Sequence, residues 1–259
     1  MKKTFLLSCL MLAAMPVMAA YTGHVYVDKN KNGVFDQSEK PLAGIKVSDG
    51  LNVVETAADG SFTLPGHERE RFIFITTPSG YKTFNRHYHK IEKKQSGYDF
   101  GLIPYSGRIR KDGSHRYIHI TDTEIFNTEN HADWVNNVRD YARNEQAAFI
   151  IHTGDICYEK GLKAHIKLMN TENMDCPVFY CIGNHDLVKG KYGEELFESI
   201  YGPVYYSFDA GNVHYVVTPM PGGDHAPGYT SDDVCRWLKN DLAHIRPGTP
   251  VVVFNHDLL

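Results

Sequence analysis

The apolar positions of this chain fall into two regimes. Over residues 21–100 they form short β-prone pieces at 23–27, 44–47, 52–56, 61–64 and 71–75, separated by turn residues. That spacing predicts a small all-β sandwich. Beyond residue 115 the pattern changes to apolar runs at 116–121, 148–153 and 177–182, alternating with amphipathic segments at 131–144, near 159–170 and near 194–200. Such alternation predicts βαβ units and an α/β domain of mixed, largely parallel sheets flanked by helices. Residues 205–209 and 213–217 read as a hairpin turning through Ala210, Gly211 and Asn212. Ser231 is expected to cap a helix reaching Ile245, with Val234, Trp237, Leu238 and Leu242 as its apolar stripe, and a last strand is predicted at 251–254. Residues 101–115, containing Pro104, Gly107 and Gly113, read as a linker between a β-domain at 21–100 and the α/β domain at 116–259.

The chemistry of the second half lies where its apolar runs stop. The run 177–182 ends in Gly183, Asn184, His185 and Asp186; the run 116–121 ends in Asp122, Thr123 and Glu124. The run 148–153 ends in Gly154 and Asp155, and 251–254 in Asn255, His256 and Asp257. Polar groups just past buried parallel strands occupy the edge where open α/β folds bind ligands. Oxygen and nitrogen donors delivered from four strand ends suit a pair of hard or borderline divalent cations.

The β-prone half carries a different motif. Asp28, Asn30, Asn32, Gly33, Asp36 and Glu39 fit a twelve-position calcium loop, with every side-chain oxygen position filled. Its flanks read as strands, so it resembles the calcium-stiffened loop of bacterial surface β-sandwich repeats rather than a helical hand; an Asn/Gly turn with incidental acids is the alternative.

Bulk properties narrow the classes further. The 259 residues carry 27 basic and 31 acidic side chains for a net charge of -4, without a basic block. Binding to polyanions or membrane surfaces through bulk charge is therefore not suggested, and no specific nucleic-acid or protein partner is evident. Lys2 and Lys3, an apolar stretch from Phe5 to Met15 and the small residues Ala19 and Ala20 form the three parts of a secretory signal peptide. Residues 1–20 are thus expected to be cleaved and the protein exported, periplasmic or extracellular, with no transmembrane helix in the mature chain. The four cysteines left are not needed as disulfides in a domain of this size; Cys181 in a strand and Cys235 in a helix are expected to be buried, and Cys157 is expected near Asp155 without being a ligand. The basic, aromatic stretch 81–94, with His87 and His89, lacks metal-ligand spacing and reads as a solvated loop.

In the order Asp122, Gly154-Asp155, Gly183-Asn184-His185-Asp186 and His256, residues 116–259 resemble the calcineurin-like metallophosphoesterase superfamily, and the β-domain resembles the N-terminal domain of its exported bacterial members. The resemblance implies two divalent metals (manganese, iron, zinc or magnesium), with Asp155 bridging, Asp122 on one and Asn184 and His256 on the other. It implies that such a pair clamps a phosphate-ester substrate and activates water. His185 would hydrogen-bond the phosphoryl group or protonate the leaving oxygen, oriented by Asp186. Glu124 stands where the family has a histidine, and as a ligand it would favour a harder cation such as manganese or magnesium. The family's Gly-His-x-His is absent, because Leu259 follows closely on His256. Each metal position then lacks one imidazole, and the chain is expected to be a truncated form of a longer protein. The function implied is metal-dependent hydrolysis of phosphomonoesters or diesters outside the cytoplasm. The alternative is a secreted, non-catalytic binding module with a decayed or truncated phosphoesterase domain.

Overall fold

The structure, a computed structural model, describes residues 20–95, 97–106 and 108–257. Residues 1–19 of the expected signal peptide lie outside the described residues. No helix among those described is long and apolar enough to cross a membrane.

Nine short strands build the first half: β1 (Tyr21–Val27), β2 (Lys40–Pro41), β3 (Lys46–Ser48), β4 (Val53–Glu55), β5 (Ser61–Leu64), β6 (Phe72–Ile75), β7 (Tyr81–Thr83), β8 (Tyr88–Lys90) and β9 (Phe100–Pro104). They form a sheet of order β2-β1-β9-β7, with β5 also paired to β1, and a second of order β4-β3-β6-β8. Period-two alternation turns Val25, Leu64, Phe100 and Leu102 of one sheet and Val47, Ile73 and Ile75 of the other into a shared core. Residues 101–104, expected as linker, are strand: β9 runs parallel to β1 and antiparallel to β7. Pro104 made the stretch look like a boundary, but it is the last residue of β9 rather than a break before it.

The second half follows the predicted alternation through β10 (Tyr117–Ile120), α1 (Ala132–Asn144), β11 (Phe149–His152), α2 (Tyr158–Leu168), β12 (Val178–Tyr180) and α3 (Glu195–Tyr201). It closes with β13 (Tyr206–Ala210), β14 (Val213–Val217), α4 (Ser231–Ala243) and β15 (Val251–Phe254). β10, β11 and β12 form one parallel sheet. In the other, β13 and β14 make the antiparallel hairpin while β14 and β15 run parallel. One buried cluster gathers Phe149, Ile151, Phe179, Phe208, Tyr215, Val216, Trp237 and Phe254, with Phe72, Phe74 and Tyr88 entering from the β-domain. Phe179 stacks on Phe208 at 3.6 Å between ring centroids.

Local capping chemistry corrects three details. Thr230, not Ser231, caps α4, because Asp233 stands three residues on: its N–H donates to the Thr230 hydroxyl at 3.2 Å, and its carboxylate accepts from the Thr230 N–H at 3.0 Å. The helix stops at Ala243, and Leu242 and Cys235 fall on its exposed side although both were expected to be apolar contacts. His87 is no solvated loop residue, since its ring packs 4.5 Å from that of Tyr206 and burial pushes its pKa down to about 3.

Candidate metal centre

Two glycines bring the central carboxylate to its place. Gly154 (φ 92) and Gly183 end β11 and the segment after β12, and their backbones touch: a Cβ on Gly154 would lie 2.4 Å from the Gly183 nitrogen. A Cβ on Gly183 would lie 2.1 Å from the Asp155 nitrogen and 2.2 Å from its Oδ1. Only glycine permits this approach. It lets the His185 N–H donate to Asp155 Oδ1 at 3.1 Å, so that Asn184 and Asp155 sit side by side. The loop after β10 is tied to the same turn, Asp122 N–H donating to the Gly154 carbonyl at 3.0 Å.

Backbone conformation at the site is unusual. Asp122, Glu124, Asp155, Cys157 and Tyr158 all have positive φ, between 44° and 73°. Non-glycine residues held there cost roughly 1–3 kcal/mol each, and such strain concentrates at functional sites.

Among the described residues, Asp122, Asp155 and His256 each offer a donor atom within 4.8 Å of the others. His256 is pre-oriented. Its Nδ1 lies 2.7 Å from the Thr153 carbonyl, which can only accept, so Nδ1 carries the proton and the Nε2 lone pair faces Asp155 Oδ2 at 3.4 Å. A cation placed between that nitrogen and the carboxylate oxygen would be held by both. Asp155 is only 7% exposed, where an uncompensated charge is costly. The donor set therefore fits a divalent metal. Asn184 adjoins this group, whereas the exposed Glu124 stays outside it.

His152, absent from the sequence-based candidates, sets the Asp122 loop. Gly154 N–H donates to its Nδ1 at 3.1 Å, so its Nε2 carries the hydrogen and donates to Thr123 Oγ1 at 2.8 Å. Burial holds its pKa well below the ordinary imidazole value, keeping it a neutral strut.

The expected pairing of His185 with Asp186 is not what the structure has. Asp186 is fully buried and turns back into its own 3₁₀ turn, Asn184–Asp186, accepting backbone N–H groups of Gly183 at 2.9 Å and Cys157 at 2.8 Å. Burial pushes its carboxyl up to about 6. Successive side chains of a tight turn diverge, so Asp186 clamps the turns while His185 faces Asp224, whose Oδ2 lies 2.8 Å from His185 Nδ1. That hydrogen bond raises the His185 pKa. Asp224 follows β14, and its sequence signal was the Gly222-Gly223-Asp224 stretch after a strand; because β14 is parallel to β15, both strand ends reach the same edge. Cys157 borders the site with its thiol pushed up to about 12, chiefly by burial and then by Asp155 and Asp186.

In the β-domain, the predicted loop residues converge. Asp28 and Glu39 are buried; Asp28 accepts from the Asn32 and Gly33 N–H groups, and the Asn30 and Asn32 amides both reach Asp36 Oδ2, at 2.7 and 3.1 Å.

Strand ends bring two carboxylates and an imidazole together on one edge of an α/β domain. Residues 115–257 match the family described as Calcineurin-like phosphoesterase, and residues 29–104 match the N terminal of Calcineurin-like phosphoesterase. The chain belongs to the calcineurin-like phosphoesterase family, whose members typically bind two divalent metals. A search of curated proteins found no match.

Proposed function

We propose that this chain hydrolyses phosphate esters, monoesters or diesters, with two divalent cations at the strand-end site. The observation that carries the reading is the convergence of Asp122, Asp155 and His256 within 4.8 Å. Asp155 would be shared between the cations, with Asp122 and His256 on either side and Asn184 as a further donor. When bound, the cations supply the positive charge that holds a phosphate and lowers the pKa of a water. The chain's own groups do the positioning. The Thr153 carbonyl keeps His256 Nε2 free to ligate, and Asp224 holds His185 by Nδ1, leaving Nε2 to give a proton to the departing ester oxygen. The raised His185 pKa favours the protonated ring that this role needs. The carboxylate oxygens of Asp122 and Asp155 favour a hard cation such as manganese or magnesium.

The test supplies manganese to the protein and follows release of phosphate from a monoester and of alcohol from a diester. Hydrolysis that Asp155→Asn abolishes supports the reading; a folded, metal-loaded protein that turns over neither ester leaves a non-catalytic binding module.

Two further parts of the reading concern the rest of the chain. The loop of Asp28, Asn30, Asn32, Asp36 and Glu39 is proposed to bind calcium, supported by its two buried carboxylates. Calcium should raise the melting temperature of the protein, and Glu39→Ala should remove that rise; a wild-type protein indifferent to calcium would make the loop a turn. Export is proposed from the signal-peptide pattern, and N-terminal sequencing of the mature protein decides it.

A further inference from the structure

His185 marks the side of the site from which an ester's alcohol would depart, and an aromatic ring stands beside it. Tyr158, the first residue of α2, has its ring centroid 5.5 Å from that of His185 at an interplanar angle of 41°, yet its side chain is 57% exposed. It contributes little to the core. Its backbone is nonetheless held in the left-handed region at φ 55, directly after Cys157 at φ 73. The start of α2 is also pinned, since Gly161 packs so closely that a Cβ there would lie 2.5 Å from the carbonyl oxygens of both Ile125 and Ile156. On a backbone so held, the exposed Tyr158 ring borders the site beside His185. Asp224 fixes the other member of the pair, because the His185 ring cannot turn away from Tyr158 without breaking its 2.8 Å contact to that carboxylate.

We propose that Tyr158 is a specificity-determining residue that selects phosphate esters whose leaving group carries an aromatic or similarly flat, unsaturated ring. Such a ring stacks on the open face of Tyr158 while its ester oxygen meets His185. A saturated chain of equal acidity offers no π-face and gains less from the contact. The inference rests on the phosphoesterase reading and deepens it by naming the leaving-group class.

The test compares an aryl phosphate with an alkyl phosphate of matched leaving-group acidity, so that intrinsic reactivity cancels, on the manganese-supplied protein and its Tyr158→Ala and Tyr158→Phe variants. The aryl-to-alkyl ratio of kcat/KM should fall about three- to tenfold in Tyr158→Ala, the range an aromatic pair supports, and persist in Tyr158→Phe. An unchanged ratio in Tyr158→Ala overturns the proposal. A second readout needs no turnover: by calorimetry, a non-hydrolysable aryl phosphonate should bind the wild type about three- to tenfold tighter than an alkyl phosphonate, and Tyr158→Ala should bind both alike. Equal affinities in the wild type, or no binding of either, overturn the proposal. A binding preference without hydrolysis upholds Tyr158 and overturns only the hydrolytic reading.

Discussion

Replacing Gly183 by alanine probes how the site is assembled with a single methyl group. Its φ of -97° is open to alanine, so backbone strain plays no part and the effect is steric. The new Cβ would stand 2.1 Å from the Asp155 nitrogen and 2.2 Å from Oδ1, against 3.4 Å for ordinary contact. The Asp155 turn must therefore retreat by about 1.2 Å, or the Gly183 turn must move as far the other way. A carboxylate displaced by that much no longer meets Asp122 and His256 in ligating geometry, and a misplacement of about 1 Å can cost on the order of 100-fold in a positioned reaction. Overpacking should cost about 1–3 kcal/mol of stability, little enough for the variant to fold. The assay is manganese binding by calorimetry alongside a denaturant melt. Expected is a folded variant with manganese affinity weakened at least about tenfold, in line with that displacement. A Gly183→Ala protein that binds manganese as the wild type does would refute the claim that the two glycine turns set the position of Asp155.

Two other outcomes follow from named contacts. Asp224→Ala removes the carboxylate whose hydrogen bond raises the His185 pKa, so the alkaline limb of the kcat profile should move to lower pH and turnover at neutrality should fall about tenfold or more, with metal content unchanged; an unshifted profile would remove Asp224 from its positioning role. In the interior, burial disfavours the charged form of His214, but Asp209 at 2.6 Å and Asp241 at 2.8 Å outweigh it and hold the pKa at about 8. Because the folded pKa lies above the ordinary 6.5, this contribution of roughly 2 kcal/mol is full below pH 6.5 and fades as pH rises through 8. The difference in unfolding free energy between wild type and His214→Gln should shrink across that window, and a constant difference would contradict the assignment.

The sequence made the fold readable where burial writes a period. The continuous apolar runs of β11 and β12 and the alternation in β5 announce themselves, and the polar residues where runs stop led to Asp122, Asp155 and His256. What escaped depends on information that no run of residues carries. Asp224 reaches His185 because β14 lies parallel to β15, a pairing of strands distant in the sequence, such as His214 with Val251. Asp186 was linked to His185 by adjacency, yet adjacent side chains in a tight turn point apart. Positive φ at Glu124, Cys157 and Tyr158 has no signature, since glycine, asparagine and aspartate are the residues that advertise that conformation. Thr230 and Ser231 are both good capping residues, and only the position of Asp233 decides between them.

The most direct test of the metal centre is the amount of manganese that the protein retains after equilibrium dialysis, measured for wild type and Asp155→Ala in a Glu39→Ala background so that the β-domain loop does not contribute. With Asp155 between Asp122 and His256, the account predicts that Asp155→Ala keeps its far-ultraviolet circular dichroism and loses the bound manganese. An Asp155→Ala protein that retains as much manganese as its parent would contradict it.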